Sequence, residues 1–163
     1  MAKHDVYVGI DPDREKSGVA LLNRNEGLWE IEVMCMTFPD LLDWLVTFRY
    51  LKSVLVVVEA GWMVEKSNYH PYQGRRAEKI AHDVGANHET GRKIVEMCRH
   101  WGIEVLEHHP LKKIWRSKDG KITADEFRQV TGYSKKCNQD ARDAGLIAWY
   151  AADLPMRVTY AKS

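Results

Sequence analysis

Apolar positions along this chain follow two rhythms, and the switches between them mark its elements. His4–Asp11 reads as a buried strand, its apolar run from Val6 ending at Asp11. Ser17–Arg24 is a second strand pattern, set off by the turn-forming Asp11-Pro12-Asp13. Asn25-Glu26-Gly27 is a hairpin signal, and Leu28–Cys35 continues as a third strand. From Asp40 the period lengthens: Leu41, Leu42, Leu45 and Phe48 share a helical face through about Leu51. Val54–Glu59 is rich in β-branched residues, suited to a strand covered on both faces. Gly61–Gly74 is irregular and aromatic, with Trp62, Tyr69 and Tyr72. Helical spacing resumes over Arg76–Trp101, with Gly85 and Gly91 as places where it would break, and Ile103–Glu107 is a fifth strand.

The remainder is punctuated by polar signals. Lys112–Lys121 reads as a basic loop. Thr123 and Glu126 form a capping box that opens a short helix ending near Gly132. Asn138–Ala152 is a final helix with Ala141, Ala144, Ile147, Ala148 and Ala151 small or apolar, and residues 154–163 read as a flexible tail. Three hairpin-linked strands, then two strands joined through helical crossovers, predict a mixed α/β sheet flanked by helices. With no linker or internal repeat, the expectation is a single domain over 1–163.

A chain of 163 residues, 45% hydrophobic and 29% charged, has the makeup of a globular domain with a true core. The net charge of +1 excludes a simple polycation, so only local clusters bear on nucleic acid. Such clusters exist at Arg75-Arg76, Lys112-Lys113, Arg116, Lys118, Lys121 and Lys135-Lys136. Cys35, Cys98 and Cys137 show no paired spacing, which fits free thiols in a reducing compartment. The chain enters a strand pattern with no signal-peptide-like stretch, and no apolar run approaches the roughly 18 residues needed to span a bilayer. The expectation is a soluble, intracellular protein, or one carried by something that replicates inside a cell, with no membrane partner.

Four acidic residues carry the candidate chemistry. Asp11 and Glu59 each end an apolar strand, and Asp140 and Asp143 lie three apart on the last helix. Strand ends in open α/β sheets are where ligands gather. Asp11 and Glu59 meet only if the first and fourth strands are neighbours. Like charges gathered that closely repel unless a cation lies between them, which asks for magnesium, or manganese as its substitute. Two of the acids also have a plainer reading: Asp11 as a turn opener, Asp140 as a helix-end charge. Asp13 reads as a solvated turn residue and His108-His109 as structural.

The residues resemble a known family. Val8-Gly9-Ile10-Asp11-Pro12 with Ser17-Gly18-Val19-Ala20 is similar to the opening of RuvC-type Holliday junction resolvases, in the RNase H-like superfamily. Val57-Val58-Glu59 resembles their second acidic motif, and Ala81–Gly91 the helix that follows it. His109-Pro110-Leu111-Lys112-Lys113 resembles their basic DNA-contacting segment, and Asn138–Ala144 their closing D-x-x-D-A motif. The phage-encoded branch is the nearer likeness, and Gly61–Arg76 reads as an insertion. The resemblance implies an RNase H-like five-stranded mixed sheet, three strands antiparallel and two parallel, with the first and fourth adjacent. It also implies a homodimer, a pair of divalent metals, and resolution of four-way DNA junctions by paired symmetric nicks, in recombination, repair or phage DNA processing.

On that reading Asp11 bridges two metals, Glu59 and Asp140 hold one each, and Asp143 completes the shell or orients a metal-bound water. Trp62 would stack on bases of the opened junction, against the alternative of a core or interface tryptophan. Arg75, Arg76, Lys112, Lys113, Lys118 and Lys121 are the candidate phosphate contacts, with Lys113 or Lys121 also steadying charge at the reacting phosphate. Residues 76–101 offer an apolar seam for dimerisation. Three other readings stand beside this one: a nuclease acting on RNA–DNA hybrids, a non-catalytic branched-DNA-binding protein, and half of an actin-like ATPase. The last lacks a second phosphate loop.

Overall fold

The computed structural model describes residues 2–64 and 74–160. Tyr69 and Tyr72, and most of the expected Gly61–Arg76 insertion, lie outside the described residues. The strands are β1 (Val6–Asp11), β2 (Lys16–Asn25), β3 (Leu28–Thr37), β4 (Val54–Glu59) and β5 (Val105–His108). They form one five-stranded sheet in the order β3-β2-β1-β4-β5. β1, β2 and β3 pair antiparallel, while β4 lies parallel to β1 and β5 parallel to β4. This is the mixed sheet expected from the sequence, with the first and fourth strands side by side. The β2–β3 hairpin turns on Glu26 and Gly27, both at positive φ (50° and 82°), as a two-residue turn between twisted strands requires.

Helices cover both faces. Alternation along β1 and β4 sends Val8, Ile10, Val56 and Val58 into a core beneath α1 (Phe38–Leu45) and α2 (Arg75–His100). The opposite set, Tyr7 and Val57, enters a second core with Phe127 of α3 (Ala124–Thr131) and Ile147 of α4 (Gln139–Ala151). Val56, Val57 and Val58 are fully buried. Each such side chain contributes about 1.5 kcal/mol or more, which holds β4 in the middle of the fold. No helix among the described residues is long and apolar enough to cross a membrane.

Several boundaries differ from the sequence expectation. The helix placed from Asp40 starts at Phe38, because Thr37 caps it by accepting from Asp40 N. It ends at Leu45 and tightens into a 3-10 turn over Val46–Tyr50. α2 runs unbroken through both Gly85 and Gly91. Ile103 precedes β5 as a buried residue whose N–H donates to the Cys98 carbonyl. Residues 154–160, expected as part of a flexible terminal tail, carry definite contacts. Leu154, Met156 and Val158 pack on the α3/α4 core, and Trp149 Nε1 donates to the Pro155 carbonyl at 2.8 Å.

Candidate metal centre

Period-two alternation sets the direction of the first two acids. Tyr7 and Val57 face α4, so Asp11 and Glu59, an even number of residues further on, share that side. The parallel register, Ile10 opposite Val58, brings the two carboxyl-terminal ends together at the centre of the sheet.

The other two acids arrive because α4 lies almost against the strands. Gly9 and Gly18 face it from neighbouring strands. A Cβ at Gly9 would sit 2.1 Å from the Ala144 carbonyl oxygen, and one at Gly18 would sit 2.0 Å from that of Asp140. Only glycine permits that approach. On the helix side Ala141, Ala144 and Ala148 are buried. Asn138 caps α4, accepting from Ala141 N at 2.9 Å, and so fixes where the helix starts. Asp140 and Asp143 then stand one turn apart over Asp11. One carboxylate oxygen from each of Asp11, Asp140 and Asp143 lies within 4.8 Å of the others. Glu59 is outside that trio but borders the same cleft as Asp11 and Asp143.

Charge crowding is severe. Burial, followed by the charges of Glu59, Asp143 and Asp140, pushes the Asp11 carboxyl up to about 8 against an opposing pull from Lys121. Glu59 is raised by burial and by Asp143, with Lys121 and Lys113 pulling it back. Asp140 is raised by burial and then by Asp13, again opposed by Lys121. Asp143 is the best-partnered acid: Gln139 Nε2 donates to its Oδ1 at 2.8 Å, and Lys121 Nζ lies 3.3 Å from its Oδ2. Burial works against the charge on Lys121, but Asp143, Asp11 and Asp140 outweigh it and hold the ammonium above its ordinary value. Lys121 and Lys113 are too few to neutralise four acids. Hard carboxylate oxygens at this separation suit a hard divalent cation such as magnesium.

The walls sort the remaining candidates. Lys112, Lys113 and Lys121 line a cleft with Asp11, Glu59 and Asp143. Lys118 is exposed and lines no cavity near the acids. Arg75 and Arg76 begin α2, and Arg76 is about 12 Å along the helix axis from Val84, the first α2 residue on the cleft wall. Trp62 borders a smaller cavity beside Asp11 and Glu59, yet its ring lies on α2. A Cβ at Gly91 would meet Trp62 Cζ3 at 2.5 Å, and the Arg92 guanidinium sits 5.5 Å from the ring centroid. Asp13 is the expected turn residue, its Oδ1 accepting from Glu15 N at 2.8 Å, although its charge reaches Asp140. His108 bonds to the His109 carbonyl and packs edge-on against Tyr150.

Sequence reading missed two residues on this wall. His88 borders both cavities beside Asp11 and Glu59, its ring filling the space left by Gly61. Asn87 accepts from Arg14 N at 2.9 Å and ties α2 to the turn after Asp11. The available signal was the shared helical face of Val84, His88 and Gly91, which means little until α2 is known to cross the end of β4.

No protein-family model matches the chain, and no curated protein matches it in sequence. Solved structures do match. The fold is shared with Thermus thermophilus RuvC in complex with a Holliday junction substrate, with a TM-score of 0.55 at 16% identity over 89% of this chain and 91% of that one. A second Thermus thermophilus RuvC structure aligns at TM-score 0.49 and 16% identity, covering 88% and 90%. A Fowlpox virus resolvase, solved with Holliday junction DNA, aligns at 0.46 and 10%, covering 91% and 97%. The first of these likenesses gives the chain the RuvC-type, RNase H-like fold.

Proposed function

We propose that this protein is a divalent-metal-dependent endonuclease that resolves four-way DNA junctions by paired nicks. The observation that carries the reading is the convergence of Asp11, Asp140 and Asp143 within 4.8 Å at the strand ends of a RuvC-like sheet. Glu59 and three lysines border the same cleft.

Asp11, Asp140 and Asp143 are the residues that would hold the metal, with Glu59 beside them as a further ligand. Magnesium, two ions per site with manganese as substitute, would supply an activated water and charge neutralisation at the phosphate. The chain's own groups do the rest. Asn138 and the two sheet glycines hold the α4 carboxylates at fixed depth. Gln139 and Lys121 orient Asp143 and limit its choice of rotamer. Lys112 and Lys113 provide cations for the strand that enters the cleft, while Arg75, Arg76 and Lys118 lie farther out along the DNA path. Trp62, half-buried and braced on α2, would stack on a base of the opened junction. A homodimer would place two such sites on a two-fold junction, and the cytoplasm is the expected location.

The test offers a mobile four-way junction, a linear duplex and an RNA–DNA hybrid side by side, each with magnesium and with chelator. Magnesium-dependent nicks in opposed strands of the junction, with the other two substrates spared, are expected. Preferential cutting of the hybrid would replace this reading with a ribonuclease one. Tight junction binding without cleavage in magnesium or manganese would replace it with a binding protein. Sedimentation at micromolar protein should show a dimer.

A further inference from the structure

Glu126 is one of the few polar residues buried among the described residues, at 2% exposure, and the metal centre does not use it. A capping box explains only part of its surroundings. Thr123 N and Thr123 Oγ1 donate to its Oε1 at 3.1 and 2.9 Å, which holds the start of α3. The same carboxylate also accepts from Arg116 N, at 3.1 and 3.3 Å, and from the Tyr160 hydroxyl at 2.5 Å. These donors come from three separate stretches: the α3 cap, the basic loop and the segment after α4. Burial disfavours the charge, yet the hydrogen bonds from Tyr160, Thr123 and Arg116 prevail and hold the carboxyl below its ordinary value.

The loop is gripped on both sides of this point. The Arg116 guanidinium lies 3.4 Å over the Tyr160 ring. Thr159 N donates to Gln129 Oε1 at 3.1 Å, fixing the strap on α3. Within the loop Trp115 N donates to the Gly120 carbonyl at 2.9 Å, closing a turn whose two stems carry Lys112-Lys113 and Lys121. Those three lysines line the cleft with Asp11, Glu59 and Asp143.

We propose that residues 154–160 act as a strap that, through Tyr160 and Glu126, sets the position of the basic loop and thereby the protein's grip on a phosphate backbone. Tyr160 and Glu126 are positioning residues, and neither touches the proposed substrate. The loop-holding half of the claim stands on the contacts alone. The phosphate half rests on the nuclease reading given above.

Two variants dissect it. Tyr160→Phe removes the hydroxyl and keeps the ring under Arg116. Glu126→Gln can still serve a capping box, but offers one acceptor oxygen where the carboxylate offers two. Trypsin reads the loop directly, since Lys112, Lys113, Arg116, Lys118 and Lys121 are all cleavage sites. Under native conditions both variants should be cut in this loop about three- to ten-fold faster than wild type, the span expected when one or two hydrogen bonds are removed. Unchanged loop cleavage in both would overturn the strap, whatever the protein does to DNA. Junction affinity, measured with calcium to block cleavage, should fall several-fold. Its salt dependence should weaken by up to about 0.9 log units per log unit of salt for each phosphate that the loop no longer neutralises. Faster loop cleavage with unchanged affinity and salt slope in folded variants would reduce Glu126 to a structural role. Failure of the wild type itself to bind the junction would instead count against the nuclease reading.

Discussion

The two helices that close over the strand ends are seated differently. α4 is sunk onto β1 and β2 through Gly9 and Gly18, with seven of its residues, Ala141 and Ala144–Trp149, buried. α2 is twice as long, yet its buried residues, Gly91, Ile94, Val95 and Cys98, all lie in its second half. Its opening turns, with Arg75, Arg76, Lys79 and Ile80, are exposed. The difference teaches where precision is needed. Two carboxylates must sit within ångströms of a third, and only a helix without slack delivers that. The front of α2, which supplies none of those carboxylates, can tolerate a loose end.

Breaking the tight side should have the largest effect. Gly18→Val would drive a side chain into the Asp140 carbonyl, which a Cβ alone would approach to 2.0 Å. A loss of about 3 kcal/mol in urea unfolding is expected, together with weakened magnesium binding because Asp140 is displaced. Next comes charge. In chelator, folding holds the Asp11 carboxyl near 8 against an ordinary value of 3.8. The folded state thus favours the protonated acid. That stabilisation is complete below about pH 4 and is lost as pH rises through about 8. The melting temperature of the wild type should therefore fall relative to that of Asp11→Asn across this window. Magnesium should restore the wild type alone. Equal pH profiles in chelator would remove the crowding from the account.

Smaller effects separate the two helices further. Lys121→Ala should lower the salt slope of junction binding by about one, whereas Arg76→Ala should change it less, because Lys121 lines the cleft and Arg76 does not. Gly85→Ala should be mildly stabilising, by about 0.5–1 kcal/mol, since its Cβ would point into open space on a helix interior. A destabilised Gly85→Ala would mean that the front of α2 is packed more tightly than its exposure implies.

The fold was largely legible in the sequence because its information is local. β-branched runs ending in acids gave β1 and β4, and the Thr123/Glu126 capping box gave α3. The Asp140/Asp143 spacing placed two acids on one helical face. What escaped was long-range. Gly9 and Gly18 read as strand residues of a motif, and their purpose depends on a helix more than a hundred residues away. Glu126 advertised its cap, while its bonds to Arg116 and Tyr160 depend on how the segment after α4 folds back. His88 was one polar residue among many on an exposed helix until β4 was known to end beneath it. The basic residues were the least decided, since lysine spacing does not say which side chains reach the cleft.

Whether Asp11, Asp140 and Asp143 form one cation site that serves junction cleavage is read most directly by comparing wild type with Asp11→Asn on a mobile four-way junction, with magnesium added or withheld. Wild type should nick opposed strands only when magnesium is present. Asp11→Asn should bind the junction equally well and cut it at least about a hundred-fold more slowly. Cleavage by Asp11→Asn at the wild-type rate would contradict the account.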